Sequence, residues 1–120
     1  MKYYYNGRLV RTSAHDYTHA VIDDETGKVL GCRANRAGAE SIKSAAINER
    51  FRGLENTTRL LKAIRAGKSC YKVTEGRRSY YERVTAEDTE ESCLEYFGWL
   101  TEKIEHIRAH WQIVELEKRQ

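Results

Sequence analysis

Apolar and polar positions along the chain fall into two kinds of pattern. In the first third, short apolar runs alternate with turn residues. "KYYYNGRLVRTS" has two such runs around Asn6-Gly7, a pair suited to a type I′ turn because both central residues need positive φ. "YTHAVIDDETGKVLGCR" repeats the plan, with Val21, Ile22, Val29 and Leu30 flanking turn chemistry at 24–27. "CYKVTEGRRSYYERVT" has Gly76 in its turn and tyrosines on both arms. Three adjacent antiparallel hairpins are predicted.

Helical spacing takes over elsewhere. Between positions 35 and 67 the residues Ala39, Ile42, Ala46, Ile47, Phe51, Leu54, Leu61 and Ile64 recur with the helical period. Asn35 suits the N-cap and Gly67 the left-handed residue past the end. Gly53 either splits this stretch into two helices or leaves one helix kinked. A last helix is expected from Thr85, whose "TAED" offers a variant of the capping box with Asp88. Cys93, Phe97, Leu100, Ile104, Ile107 and Trp111 form its buried stripe. "WQIVELEK" then reads as a closing strand. The expected fold is α+β: an antiparallel sheet built from hairpins, with two or three helices packed on one face.

A chain of 120 residues with no proline, no Gly/Ser linker and no repeat reads as one compact domain, 1–120. Hydrophobic residues at 40% and charged residues at 32% suit a globular rather than a disordered chain. No apolar run approaches the roughly 20 residues of a membrane span, and the N-terminus lacks a signal-peptide pattern. Three widely spaced cysteines, Cys32, Cys70 and Cys93, argue against a disulfide framework and for a reducing, cytoplasmic setting. The net charge of +3 is unevenly spread. Positions 33–83 carry 13 basic against 5 acidic side chains, and positions 84–120 carry 4 against 9. This asymmetry fits either a basic face that binds an anion or two neighbouring segments that neutralise each other.

The densest cluster of chemically active side chains is "RTSAHDYTHAVI", with His15, Asp16, Tyr17 and His19. Strand periodicity separates them and moves His15 into a turn. If the hairpin closes with Asp23 opposite Lys28, His19 faces Cys32, and such a pair can lower a thiol pKa. A one-residue slip would put Arg33 there instead. Free cysteine is more often a small buried apolar residue. Glu102, His106 and His110 share a helix face at i, i+4 and i+8, a spacing compatible with zinc. That stripe is off the apolar face, and a solvated basic patch at the helix end is the simpler alternative. Trp99 lies on the same stripe, either under a hairpin or as an interface anchor.

The broadest functional signal is basic. Arg59, Lys62 and Arg65 make a ladder along a helix, with Lys68 beyond its end. Lys72, Arg77, Arg78 and Arg83 follow, interleaved with Tyr71, Tyr80 and Tyr81. Basic side chains neutralise phosphates and tyrosine rings stack on unpaired bases. A solvated helix face with strand tyrosines in the core is the alternative. No G-x-G-x-x-G, Walker or G-x-S-x-G motif occurs, so no cofactor is expected.

"GKVLGCRANRAGAESIKSAAINERF" resembles the second half of a double-stranded-RNA-binding domain, but its Ala45-Ala46 pair falls too late and Arg36 stands alone, so no residue role carries over. Over most of its length, especially "RTSAHDYTHAVI" and "WQIVELEK", the chain resembles short accessory proteins of bacteriophages and mobile elements. That resemblance implies a non-enzymatic binding protein acting by occupancy on a host protein, nucleoprotein or nucleic acid. Anti-CRISPR inhibitors are one such class. The alternative from the residues is a small enzyme using Cys32/His19 or a metal at Glu102/His106/His110.

Overall fold

The computed structural model describes all 120 residues. It is α+β, with antiparallel strands and two helices. The chain gathers into two compact units: Met1–Ile47 with His106–Gln120 form unit 1, and Asn48–Glu105 form unit 2.

Unit 1 is built on the two predicted N-terminal hairpins. β1 (Lys2–Tyr5) pairs with β2 (Arg8–Thr12), and β3 (His19–Asp23) with β4 (Val29–Arg33). Asn6 and Gly7 both have positive φ, 51° and 77°, as a type I′ turn requires. The closing segment divides between the two hairpins. β7 (Trp111–Glu115) lies against β3, and β8 (Glu117–Arg119) lies against β1. In place of the one expected sheet there are three small ones, ordered β2-β1-β8, β4-β3-β7 and β5-β6. The division between β7 and β8 falls at Leu116, outside both strands, whose amide donates to the Thr18 carbonyl.

β3 is the centre of its sheet, and its residues 20–23 are all buried. Ala20 and Ile22 join Cys32 and Val114 in a core covered by Tyr5, Val10, Tyr17, Val29 and Leu116. On the other face, Gly31 leaves room for Ile42, whose Cδ1 would lie 2.8 Å from a Cβ there. Burying a valine or isoleucine side chain yields about 1.5–3 kcal/mol, more than strand propensity supplies, so burial on both faces holds β3. Tyr3 is fully buried, and its hydroxyl donates to the His15 carbonyl and accepts from the Tyr17 amide. Those bonds pin the 13–18 bend beside β1.

Unit 2 contains the second half of α1 (Arg36–Arg65), the hairpin β5 (Cys70–Glu75) and β6 (Arg78–Arg83), and most of α2 (Glu90–His110). α1 runs unbroken through Gly53. A Cβ at Gly53 would sit 3.1 Å from Leu100 Cδ1, so the glycine serves close approach of α2 rather than a break. Asn35 caps α1 through the Gly38 amide, 2.7 Å from Asn35 Oδ1. Gly67, at φ 66°, ends it in a Schellman motif: Lys68 N donates to Ala63 O, and Gly67 N to Ile64 O.

α2 starts at Glu90, four residues later than the Thr85 cap predicts. Thr85 and Asp88 do bond each other, but they close only a turn. The working cap is Thr89 with Ser92, each amide donating to the other's hydroxyl oxygen at 3.0 Å. No helix is long and apolar enough to cross a membrane.

Candidate functional site

In unit 2 the strand period sets one face of the β5–β6 hairpin. Register pairs Lys72 with Tyr81 and Cys70 with Arg83, so these four side chains share a face. Tyr81 is 72% exposed, the most open large apolar side chain in the molecule. Between this hairpin and α1 runs a groove of about 500 Å³, bordered by Arg59, Lys62, Lys68, Tyr71, Lys72 and Tyr81. Its floor is small, with Ala63 and Ala66 facing it.

The cations of the groove differ in availability. Arg59 donates to Asn56 Oδ1 and to Thr74 Oγ1, both at 3.0 Å, which holds it against β5. Lys62, Lys68 and Lys72 pair with no carboxylate. Three ammonium groups are thus free to meet an anion. Tyr71 is half-buried, and its hydroxyl donates to Glu82 at 3.3 Å. Burial first, and the Glu82 charge second, push its pKa up to about 12.

Several residues of the predicted basic face lie outside the groove. Arg65 pairs with Glu90 at 2.5 Å. Arg77 is exposed in the β5–β6 turn. Arg78 covers the Tyr80 ring at 5.5 Å, and Tyr80 points to the opposite face of the hairpin from Tyr81, donating to Glu75. Trp99 is half-exposed, stacked on Tyr96 with ring centres 5.7 Å apart and 13° between planes. Lys103 lies 5.6 Å from the Trp99 ring centre. Trp99 is not under a hairpin; it forms an aromatic step on α2.

In unit 1 the His19–Cys32 pairing does not occur. The turn closes as expected, with Asp23 N donating to Lys28 O. The register then shifts: Val21 faces Gly31 while Ile22 faces Val29, so Leu30 is the extra residue of a bulge. That slip puts Arg33 opposite His19 and Ala20 opposite Cys32. Cys32 is buried, and burial raises its thiol pKa despite the charges of Arg11 and Arg33. His19 instead bonds Thr18 Oγ1 at 2.7 Å.

The second histidine pair is brought together, with a different carboxylate. Glu102 is exposed, and the hairpin turn supplies Glu25 in its place. His106 Nδ1 lies 3.2 Å and His110 Nε2 3.4 Å from the same oxygen, Glu25 Oε2. The outer nitrogens are held as well: His106 Nε2 is 2.6 Å from Asp23 Oδ2, and His110 Nδ1 is 2.7 Å from Asp24 Oδ1. Asp23 is buried, and its other oxygen accepts from the amides of Glu25 and Thr26. The His106 hydrogen bond outweighs burial and draws the Asp23 pKa down; the Asp24 hydrogen bond raises that of His110.

Sequence reasoning missed Glu25, Asp23 and Asp24 because they read as turn formers. It missed Asn56 because one asparagine on a helix carries no signal. The signal that could have found them is the run of three acids in "IDDET".

By class, then, this is an α+β protein with a basic, tyrosine-edged groove in one unit and a histidine–carboxylate cluster in the other. No family model matches the chain, and neither a curated protein nor a solved structure matches it.

Proposed function

We propose that the protein is a non-enzymatic binding module that holds single-stranded nucleic acid, free or in a nucleoprotein, in the groove of unit 2. The observation that carries this reading is the trio Lys62, Lys68 and Lys72, free of carboxylates, beside the exposed ring of Tyr81. Ammonium groups neutralise phosphates, and an open tyrosine face stacks on an unpaired base. A module of this kind acts by occupancy, as the resemblance to phage and mobile-element accessory proteins implies. Blocking a nucleic-acid-handling host complex, in the manner of an anti-CRISPR inhibitor, is the biological role that fits it.

The test is binding of a fluorescent single-stranded oligonucleotide across a salt series. Three lysines on three phosphates give a slope of about −2 in log K against log salt, at roughly −0.7 per phosphate. Lys72→Ala should flatten that slope by about one such step. No binding at low salt overturns the groove reading. It would turn attention to the acidic start of α2, Glu90, Glu91 and Glu95, as a mimic of nucleic acid that competes for a basic partner.

A further inference from the structure

We propose that Glu25, His106 and His110 form a binding site for a divalent transition metal of the zinc class, in unit 1 and independent of the groove. Three donor atoms, one from each side chain, lie within 4.8 Å of one another. Zinc bonds of 2.0–2.1 Å at tetrahedral angles set an edge of about 3.4 Å between neighbouring ligand atoms. The two distances to Glu25 Oε2, 3.2 and 3.4 Å, match such edges.

The outer contacts supply the second requirement. Asp23 accepts from His106 Nε2, and Asp24 from His110 Nδ1. With the proton on those nitrogens, His106 Nδ1 and His110 Nε2 are left as acceptors 3.2 and 3.4 Å from Glu25 Oε2, close to it but not aligned in a hydrogen bond with it. Three acceptors this close repel each other unless a proton or a metal cation stands between them. A carboxylate behind each metal-bound imidazole fixes tautomer and ring orientation in the same way. Asp24 is itself held: Gln112 Nε2 donates to its second oxygen, and its amide donates to the His110 carbonyl.

Charge and access agree with a bound cation. Three carboxylates, from Asp23, Asp24 and Glu25, surround two imidazoles, leaving an excess of negative charge that a divalent ion offsets. Two nitrogens and one oxygen form a donor set of borderline softness, which favours zinc, cobalt or nickel over magnesium or calcium. The side chains of His106, His110 and Glu25 are 32%, 38% and 58% exposed, so an ion can enter from solvent and keep a fourth position for water.

The alternative occupant of the same space is a proton on each ring, making two imidazolium–carboxylate pairs. Titration of the full chain with zinc chloride, by calorimetry after chelator treatment, separates the two. It uses a Cys70→Ser background, because Cys70 is the exposed thiol. Cobalt chloride gives a second readout, since its visible spectrum reports coordination number. One zinc per chain is expected, with a four-coordinate cobalt spectrum. Glu25→Gln and His110→Ala should each weaken binding at least tenfold, and Asp23→Asn on the order of 10-fold to 100-fold. Glu102→Gln should leave it unchanged. Absence of saturable zinc binding overturns the site, as does loss of binding in Glu102→Gln with retention in Glu25→Gln. Glu25 is on the exposed turn, so its variant tests the site without risking the fold.

Discussion

Asn56 on α1 brackets the backbone of Thr74 on β5. Its Nδ2 donates to the Thr74 carbonyl and its Oδ1 accepts from the Thr74 amide, both at 2.9 Å. A side-chain amide thus stands in for a neighbouring strand along the unpaired edge of a two-stranded sheet. The same Oδ1 accepts from Arg59, so one residue sets both the hairpin's position and a border of the groove.

Asn56→Ala leaves a peptide donor and acceptor of Thr74 unpaired. It should destabilise the protein by about 1–3 kcal/mol, read from the midpoint of urea unfolding at constant m. Oligonucleotide affinity should fall with it. A variant of unchanged stability would show that the bracket contributes nothing.

Tyr81→Ala removes the exposed ring while leaving every lysine of the groove. Single-strand affinity should drop by about 1–3 kcal/mol, the usual worth of one base–aromatic stack, with the salt slope preserved. Tyr80→Ala, on the other face of the hairpin, should have a much smaller effect on binding. Equal losses in both variants would mean that the hairpin acts through its fold and not through stacking.

Thiol reactivity should divide the three cysteines. Cys70 is exposed, while Cys32 and Cys93 are buried with thiol pKa values raised chiefly by burial. A thiolate-specific reagent should modify one cysteine per native chain, rising to three on unfolding. Fast modification of Cys32 in the native protein would revive a nucleophile at that position.

Tyr71 makes alkaline stability pH-dependent. Its folded pKa, near 12, is above the ordinary value of 10, so the folded state keeps a proton that the unfolded state releases between them. The contribution is therefore complete below pH 10 and is lost as pH rises through about 12. Tyr71→Phe should remove that part of the slope, seen by comparing unfolding midpoints at pH 9 and 11. Glu82→Gln should lower the Tyr71 pKa, measured by tyrosinate absorbance.

Both histidine hypotheses turned on the geometry of one hairpin. The Asn6-Gly7 turn, the Asn35 cap and the Gly67 terminator were all legible, because φ preferences and hydrogen bonds a few residues apart produce them. Legibility ended where one residue could change the outcome. The chain offers no mark that Leu30 will bulge, yet that bulge separates His19 from Cys32. Thr85 with Asp88 read as the cap of the last helix, yet the reciprocal bonds that open α2 are those of Thr89 and Ser92.

Residue order was therefore enough for the three hairpins, the two helical stretches and the α+β class, but not for whether the first stretch breaks at Gly53, since period and turn chemistry act over a few positions. It also located the basic segment, because charge is a property of composition. It could not choose which of the segment's cations stay free. Arg59 and Arg65 are taken up by neighbours, while Lys62, Lys68 and Lys72 are not. Nor could it join the 23–25 turn to the end of α2: Asp23 and His106 are 83 residues apart and meet only because β7 returns beside β3. Pairings of that range depend on how the whole chain buries its apolar faces, and no local pattern encodes them.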